Sequence, residues 1–174
     1  MPAWWHMLVI LSVALWIGPL VFFSFLVAPT VFQSLDMEQA AKFMRMMFPR
    51  YYAFQVVVAV ALTGFVAVAA GTGKAETVFH TGRGAVVPVF IGFLCAMLGK
   101  RWLTPRVNEA RDLRAAAKPD TPEFAEAKKQ FSRYHRISVQ VNLLAILSAI
   151  TFTVFYALAS APRMFGPAGL GPSP

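Results

Sequence analysis

Charge is scarce in this sequence: Asp, Glu, Lys and Arg make up 14% of it, and only eight residues are acidic against sixteen that are basic. Soluble domains carry about 25% charged residues, so a chain with 57% hydrophobic residues and this little charge is not built to be surrounded by water. Cysteine occurs once, at Cys95 within an apolar run, which excludes a disulfide framework and any CxxC or CxH metal signature. No hydrophobic segment holds two of the three histidines, and this argues against a haem clamped between histidines of facing helices. The run Gly71-Thr72-Gly73-Lys74 lacks the Walker spacing and follows no strand, so it is not a phosphate loop. No catalytic signature is present. The sequence leans away from an enzyme, names no cofactor and defines no metal site.

What is there is a set of long apolar runs. We expect an all-α integral membrane four-helix bundle with a cytoplasmic helical hairpin between spans 3 and 4. The spans fall at about 5–32, 51–70, 84–104 and 137–159, each near or above the roughly 20 residues that a helix needs to cross a bilayer. The first run is too long for a cleaved signal peptide and lacks its charged start, so it reads as a retained span. Pro19 and Pro29 should kink or end it. Trp4, Trp5, Tyr51 and Tyr52 suit the aromatic belts at membrane surfaces.

Between the first two spans, 36–48 reads as a short interfacial helix capped by Asp36 and stopped by Pro49. Its methionines, from Met37 to Met47, invite a soft-metal reading, although adaptable packing explains them better. The hairpin, 105–136, turns at Lys118-Pro119-Asp120-Thr121-Pro122, with Thr121 as cap and Pro122 as first helical residue. Counting back from that turn sets Asn108 opposite Phe131, Pro105 opposite Tyr134 and Arg101 opposite Ser138. The Gly- and Pro-rich tail, 162–174, is expected to be disordered.

The net charge of +8 would suggest nucleic acid in a soluble protein; in a membrane protein it reports orientation, and no nucleic acid is expected. Lys42, Arg45, Arg50 and ten more basic residues from Lys100 to Arg136 lie on the side of the first and third loops, leaving three, Lys74, Arg83 and Arg163, on the other. The rule that cytoplasmic loops are basic then puts both termini outside and the hairpin inside, in a membrane expected to be the bacterial inner one. His6 and His80 should lie near the outer surface and His135 near the inner one.

The fourth span opens with a polar stripe. Spacings of three and four residues set His135, Ser138 and Asn142 on one helical face. A buried Asn in lipid is costly without a partner, so this face needs a protein interior to look into. Gln55, with Ser24 or Gln33, is the expected company. With Asn108 and Arg136, these residues form the candidate binding face. Arg101 and Arg106 are candidates to grip a phosphate or carboxylate. Hydrogen bonding that merely fixes helix registry explains Ser138 and Asn142 equally well.

Four motifs carry a family resemblance: Phe22-Phe23-Ser24-Phe25 with Pro29 and Phe32, Phe48-Pro49-Arg50-Tyr51-Tyr52, Leu103-Thr104-Pro105 with Asn108, and His135-Arg136-Ile137-Ser138-Val139 with Asn142. Together they resemble the transmembrane protein 205 family and its bacterial relatives over most of 15–160. The resemblance implies a four-span membrane protein of a family carried as a domain of unknown function, and it implies no reaction. Three function classes stay open. The leading one is a small transport or permease-like module, working as an oligomer, for a small solute or metal complex. The second is a scaffold whose basic hairpin binds anionic lipid or a cytoplasmic protein. The third, a haem-binding enzyme, is disfavoured by the histidine positions.

Overall fold

The structure, a computed structural model, describes residues 3–71 and 83–164, with side chains over 4–68 and 86–158. The described residues are helical almost throughout. Helix α1 (Ala3–Phe22) passes through a π-helical turn, π1 (Phe23–Val27), into α2 (Ala28–Ser34). Helix α3 spans Met37–Gly71. Helix α4 (Arg83–Leu98) passes through a second π turn, π2 (Gly99–Leu103), into α5 (Thr104–Ala116), and α6 spans Pro122–Met164. Helix α1 packs on α3 and α6, and α4 packs on the same two, giving a four-helix bundle in which α4 and α6 share the longest seam.

Four stretches, Trp4–Ser34, Met37–Val68, Val86–Ala116 and Pro122–Leu158, are long and apolar enough to cross a membrane. Between 28% and 39% of each apolar window is buried inside the chain, so most of that surface faces outward. Leu11, Val57, Leu94, Leu147 and Val154 are among the large side chains that point out of the bundle. A soluble monomer rarely exposes so much apolar surface. Lipid is the solvent this surface suits, and the chain is an integral membrane protein.

Both caps read from the sequence are in place. The Gln39 N–H donates to Asp36 Oδ1 at 2.8 Å, and the Phe124 N–H donates to Thr121 Oγ1 at 3.3 Å. The hairpin also closes near the counted register: the Arg111 guanidinium lies over Phe131, and Trp102 meets Tyr134 edge to face, each within about one turn of the counted pairs.

Three expectations need correction. Pro49 does not stop a short helix, because 37–48 runs straight on as the first turns of α3. A proline removes one N–H, and in a long apolar helix the remaining ladder and the neighbouring helices hold the segment. Of the two expectations for Pro29, a kink or an end, the helix rules out the end, as the expected span of about 5–32 required. Its ring would collide with the Phe25 carbonyl four residues back, and the π turn widens the helix at that carbonyl. Pro105 stands in the same relation to Arg101 in π2. Finally, α6 carries through Pro162 to Met164, past the point where the tail was expected to begin. The rest of that tail, and the loop with His80, lie outside the described residues.

Two glycines permit close approach in the core. A Cβ at Gly92 would overlap the buried Trp16 indole, and one at Gly99 would overlap the Tyr52 ring. Tyr52 therefore lies close against π2 at Gly99.

Candidate functional site

The π1 turn and the polar face of α6 meet in a hydrogen-bonded chain. The Tyr51 hydroxyl donates to Asn142 Oδ1 at 2.8 Å, and Asn142 Nδ2 donates to Ser24 Oγ at 2.6 Å. Ser24 Oγ in turn donates to the Leu20 carbonyl at 2.6 Å. Three helices are tied by this chain, and each polar group in it finds the partner that lipid cannot supply. Beside it, Ser138 and Tyr52 line the same cavity. Tyr51 and Tyr52, expected at the membrane surface, are both buried. Their rings join Phe23 and Phe48: Phe23 stacks on Tyr51 at 4.8 Å between centroids, and Phe48 on Tyr52 at 6.1 Å.

On the hairpin side of this chain lies a cavity of ≈ 300 Å³. Its polar lining consists of Thr104, Asn108, Arg111, His135, Ser138 and Asn142, with Ser24, Tyr51 and Tyr52 beside them, and among the described residues no acidic side chain lines it. The rest of its wall is apolar and includes Phe25, Phe32, Val139, Leu143 and Ile146. Arg111 is half-buried. Its Nη1 donates to the Ala41 carbonyl and to Asn108 Oδ1, both at 3.2 Å, while the guanidinium lies over the Phe131 ring. The exposed Asp112 carboxylate is engaged with Arg45. Among the described residues Arg111 has no carboxylate partner of its own.

The expected site residues separate into two groups. Asn108, His135, Ser138 and Asn142 come together around the cavity. His135 stacks its ring on Phe131 at 6.0 Å. Arg101, Arg106 and Arg136 are exposed and line no part of the cavity, and Arg106 instead covers the Trp102 ring at 4.6 Å. Gln55 does not join Asn142. It is 3% exposed, its side-chain oxygen and nitrogen have no hydrogen-bond partner among the described residues, and it borders a void of ≈ 10 Å³, about the room of one water. Gln33 is exposed.

Sequence reasoning missed Arg111 as the cation of the site. The signal was present: Arg111 follows Asn108 by three residues, and the pair shares a helical face. Of the methionines, Met44 is buried against the cavity, whereas Met37 and Met46 are exposed. Among the described residues no group of three or more His, Cys, Asp or Glu is placed to hold a metal ion. At the opposite end of the bundle, His6 Nδ1 pairs with the Tyr156 hydroxyl at 2.7 Å.

The arrangement offers a cation and several neutral hydrogen-bonding groups in the wall of an otherwise apolar pocket. Such a site suits binding and orientation of a molecule with one polar end. No curated protein and no solved structure matches the chain. Residues 11–116, which carry three of the four apolar stretches, both π turns and Arg111, match the family described as Domain of unknown function (DUF4149), and the chain belongs to that family.

Proposed function

We propose that the protein is a small transport or permease-like module of the membrane whose solute occupies the cavity at the hairpin end of the bundle. The observation that carries this reading is the cavity itself, whose wall combines Arg111, Asn108, His135 and Asn142 with lipid-facing side chains. An organic solute with a polar or anionic end is favoured over a bare metal ion, because the lining is poor in metal ligands. Four spans are few for alternating access, so the working unit is an oligomer. The finer likeness to the transmembrane protein 205 family, the cytoplasmic placing of the hairpin and a bacterial inner membrane belong to this same reading.

The test is native mass spectrometry of the protein purified in mild detergent. A retained small molecule is expected, and Ala28→Trp, which puts an indole into the cavity wall, should release it while circular dichroism still reports the helical bundle. Vesicles loaded with the molecule so identified should leak it through the wild type and not through Asn142→Ala. Equal leakage from both would sink the transport reading.

The scaffold reading has one specific observation behind it: Lys128, Lys129, Arg133 and Arg136 are all exposed along the first half of α6. Reversal of the Lys128 and Lys129 charges should abolish partner or vesicle binding if the hairpin is the docking element.

A further inference from the structure

The cavity is open on one flank. Phe25 and Phe32 on the first span, and Val139 and Leu143 on α6, line it while being 67%, 49%, 53% and 52% exposed. These are the same side chains that belong to the outward apolar belt. Helix α2 packs only on π1 and α3 and makes no contact with α6, so no helix seam closes this flank. Whatever enters here comes sideways, from the bilayer.

The depth of the slot matches one leaflet. On α6 the exposed large apolar residues begin at Val139, which marks the hairpin-side edge of the hydrocarbon. His135 then stands one turn outside the hydrocarbon, at headgroup level, and Ile146 lies about 10 Å inside it. Asn108 and His135 thus lie on the headgroup side of that edge, and Asn142, Leu143 and Ile146 on the acyl-chain side. At headgroup level, Arg111 is a half-buried guanidinium with no carboxylate partner among the described residues, and its Nε and Nη2 make no hydrogen bond to them. A planar cation of this kind matches a phosphate oxygen pair.

Building on the proposed binding role of this cavity, we infer that its ligand is an anionic phospholipid of the hairpin-side leaflet. One acyl chain enters between α2 and α6 and lies against Leu143 and Ile146. Its phosphate sits at Arg111, with Asn108 and His135 beside it. The second chain stays among the belt lipids. The slot's volume, near the lower end of the roughly 300–1,000 Å³ usual for ligand pockets, suits one chain and not a helix.

The experiment is native mass spectrometry of the intact protein in detergent, titrated separately with phosphatidylglycerol, phosphatidylcholine and glycerol phosphate. Phosphatidylglycerol should be retained at least tenfold better than phosphatidylcholine, and glycerol phosphate should neither bind nor displace it. Arg111→Gln should bring phosphatidylglycerol down to the phosphatidylcholine level. Leu143→Trp, at the exposed mouth where folding is least at risk, should block both lipids, whereas Lys128→Gln with Lys129→Gln should leave the tenfold ratio unchanged.

Equal retention of the two lipids by the wild type, a ratio that survives Arg111→Gln, or displacement by glycerol phosphate would each overturn the inference. If a molecule that is not a lipid is retained and released by Ala28→Trp, the lipid inference fails and the proposed binding role stands. If nothing is retained and neither tryptophan variant changes anything, both fail.

Discussion

Asn142 and Gln55 are two amides buried in the same bundle under opposite circumstances. Asn142 accepts from Tyr51 and donates to Ser24, so its removal leaves the Tyr51 hydroxyl without an acceptor, while Ser24 still donates to the Leu20 carbonyl. Gln55 has no such company, and a buried amide without partners is destabilising by about 1–3 kcal/mol. Gln55→Leu, of similar volume and without the amide, should therefore raise the thermal midpoint in detergent. A lower midpoint would show that the amide is engaged when the protein is in its membrane. The sequence pointed to Gln55 as the partner of the polar stripe because both are polar at lipid depth. It did not show that Tyr51, one turn earlier on α3, reaches Asn142 first, since the direction of a tyrosine hydroxyl depends on how the helices are rotated.

At the level of elements, the π turns account for which arginine serves the cavity. On an unbroken α-helix Arg101 and Asn108, seven residues apart, share a face. The wide turn at Gly99–Leu103 inserts an extra residue into that count and rotates α4 by about 100° relative to α5. Arg101 is carried to the surface, and Arg111, which lies beyond the turn with Asn108, keeps the face. The same turn is held by Gly99 under the Tyr52 ring and by Thr104 Oγ1, which donates to the Gly99 carbonyl at 2.8 Å. Gly99→Ala should lower the thermal midpoint, by an overpacking penalty of about 1–3 kcal/mol. Gly64→Ala is the matched control, because nothing lies within 4 Å of the position its Cβ would take. There the helix propensity of alanine should stabilise by up to about 1 kcal/mol. Identical shifts for the two variants would refute the close approach of Tyr52 to π2.

For the whole molecule, three helices extend beyond the apolar belt on one side. At about 1.5 Å per residue the 43 residues of α6 reach roughly 64 Å, twice the thickness of a hydrocarbon core. The first turns of α3 rise beside the hairpin and are tied to it by Arg45 with Asp112 and by Arg111 with the Ala41 carbonyl. The exposed ion pair contributes no more than about 1 kcal/mol, so the packing of α5 on α6 holds this projection together. Thirteen of the sixteen basic residues were counted to this side, which predicts its orientation. A Lys128→Cys variant in intact cells should resist an impermeant maleimide until the membrane is opened. Labelling from outside would reverse the topology.

Much of this was dictated by the sequence alone. Apolar run length and scarcity of charge specify four helices in lipid, because an unpaired backbone cannot cross a bilayer and a helix pairs its own. Side-chain caps at Asp36 and Thr121 are local, and so they were legible. Only the tertiary structure decided which polar residues meet. A π turn changes the phase of a helix by a whole residue, and the slot between α2 and α6 exists because two helices far apart in the chain do not pack on each other. Neither fact is a property of any one segment.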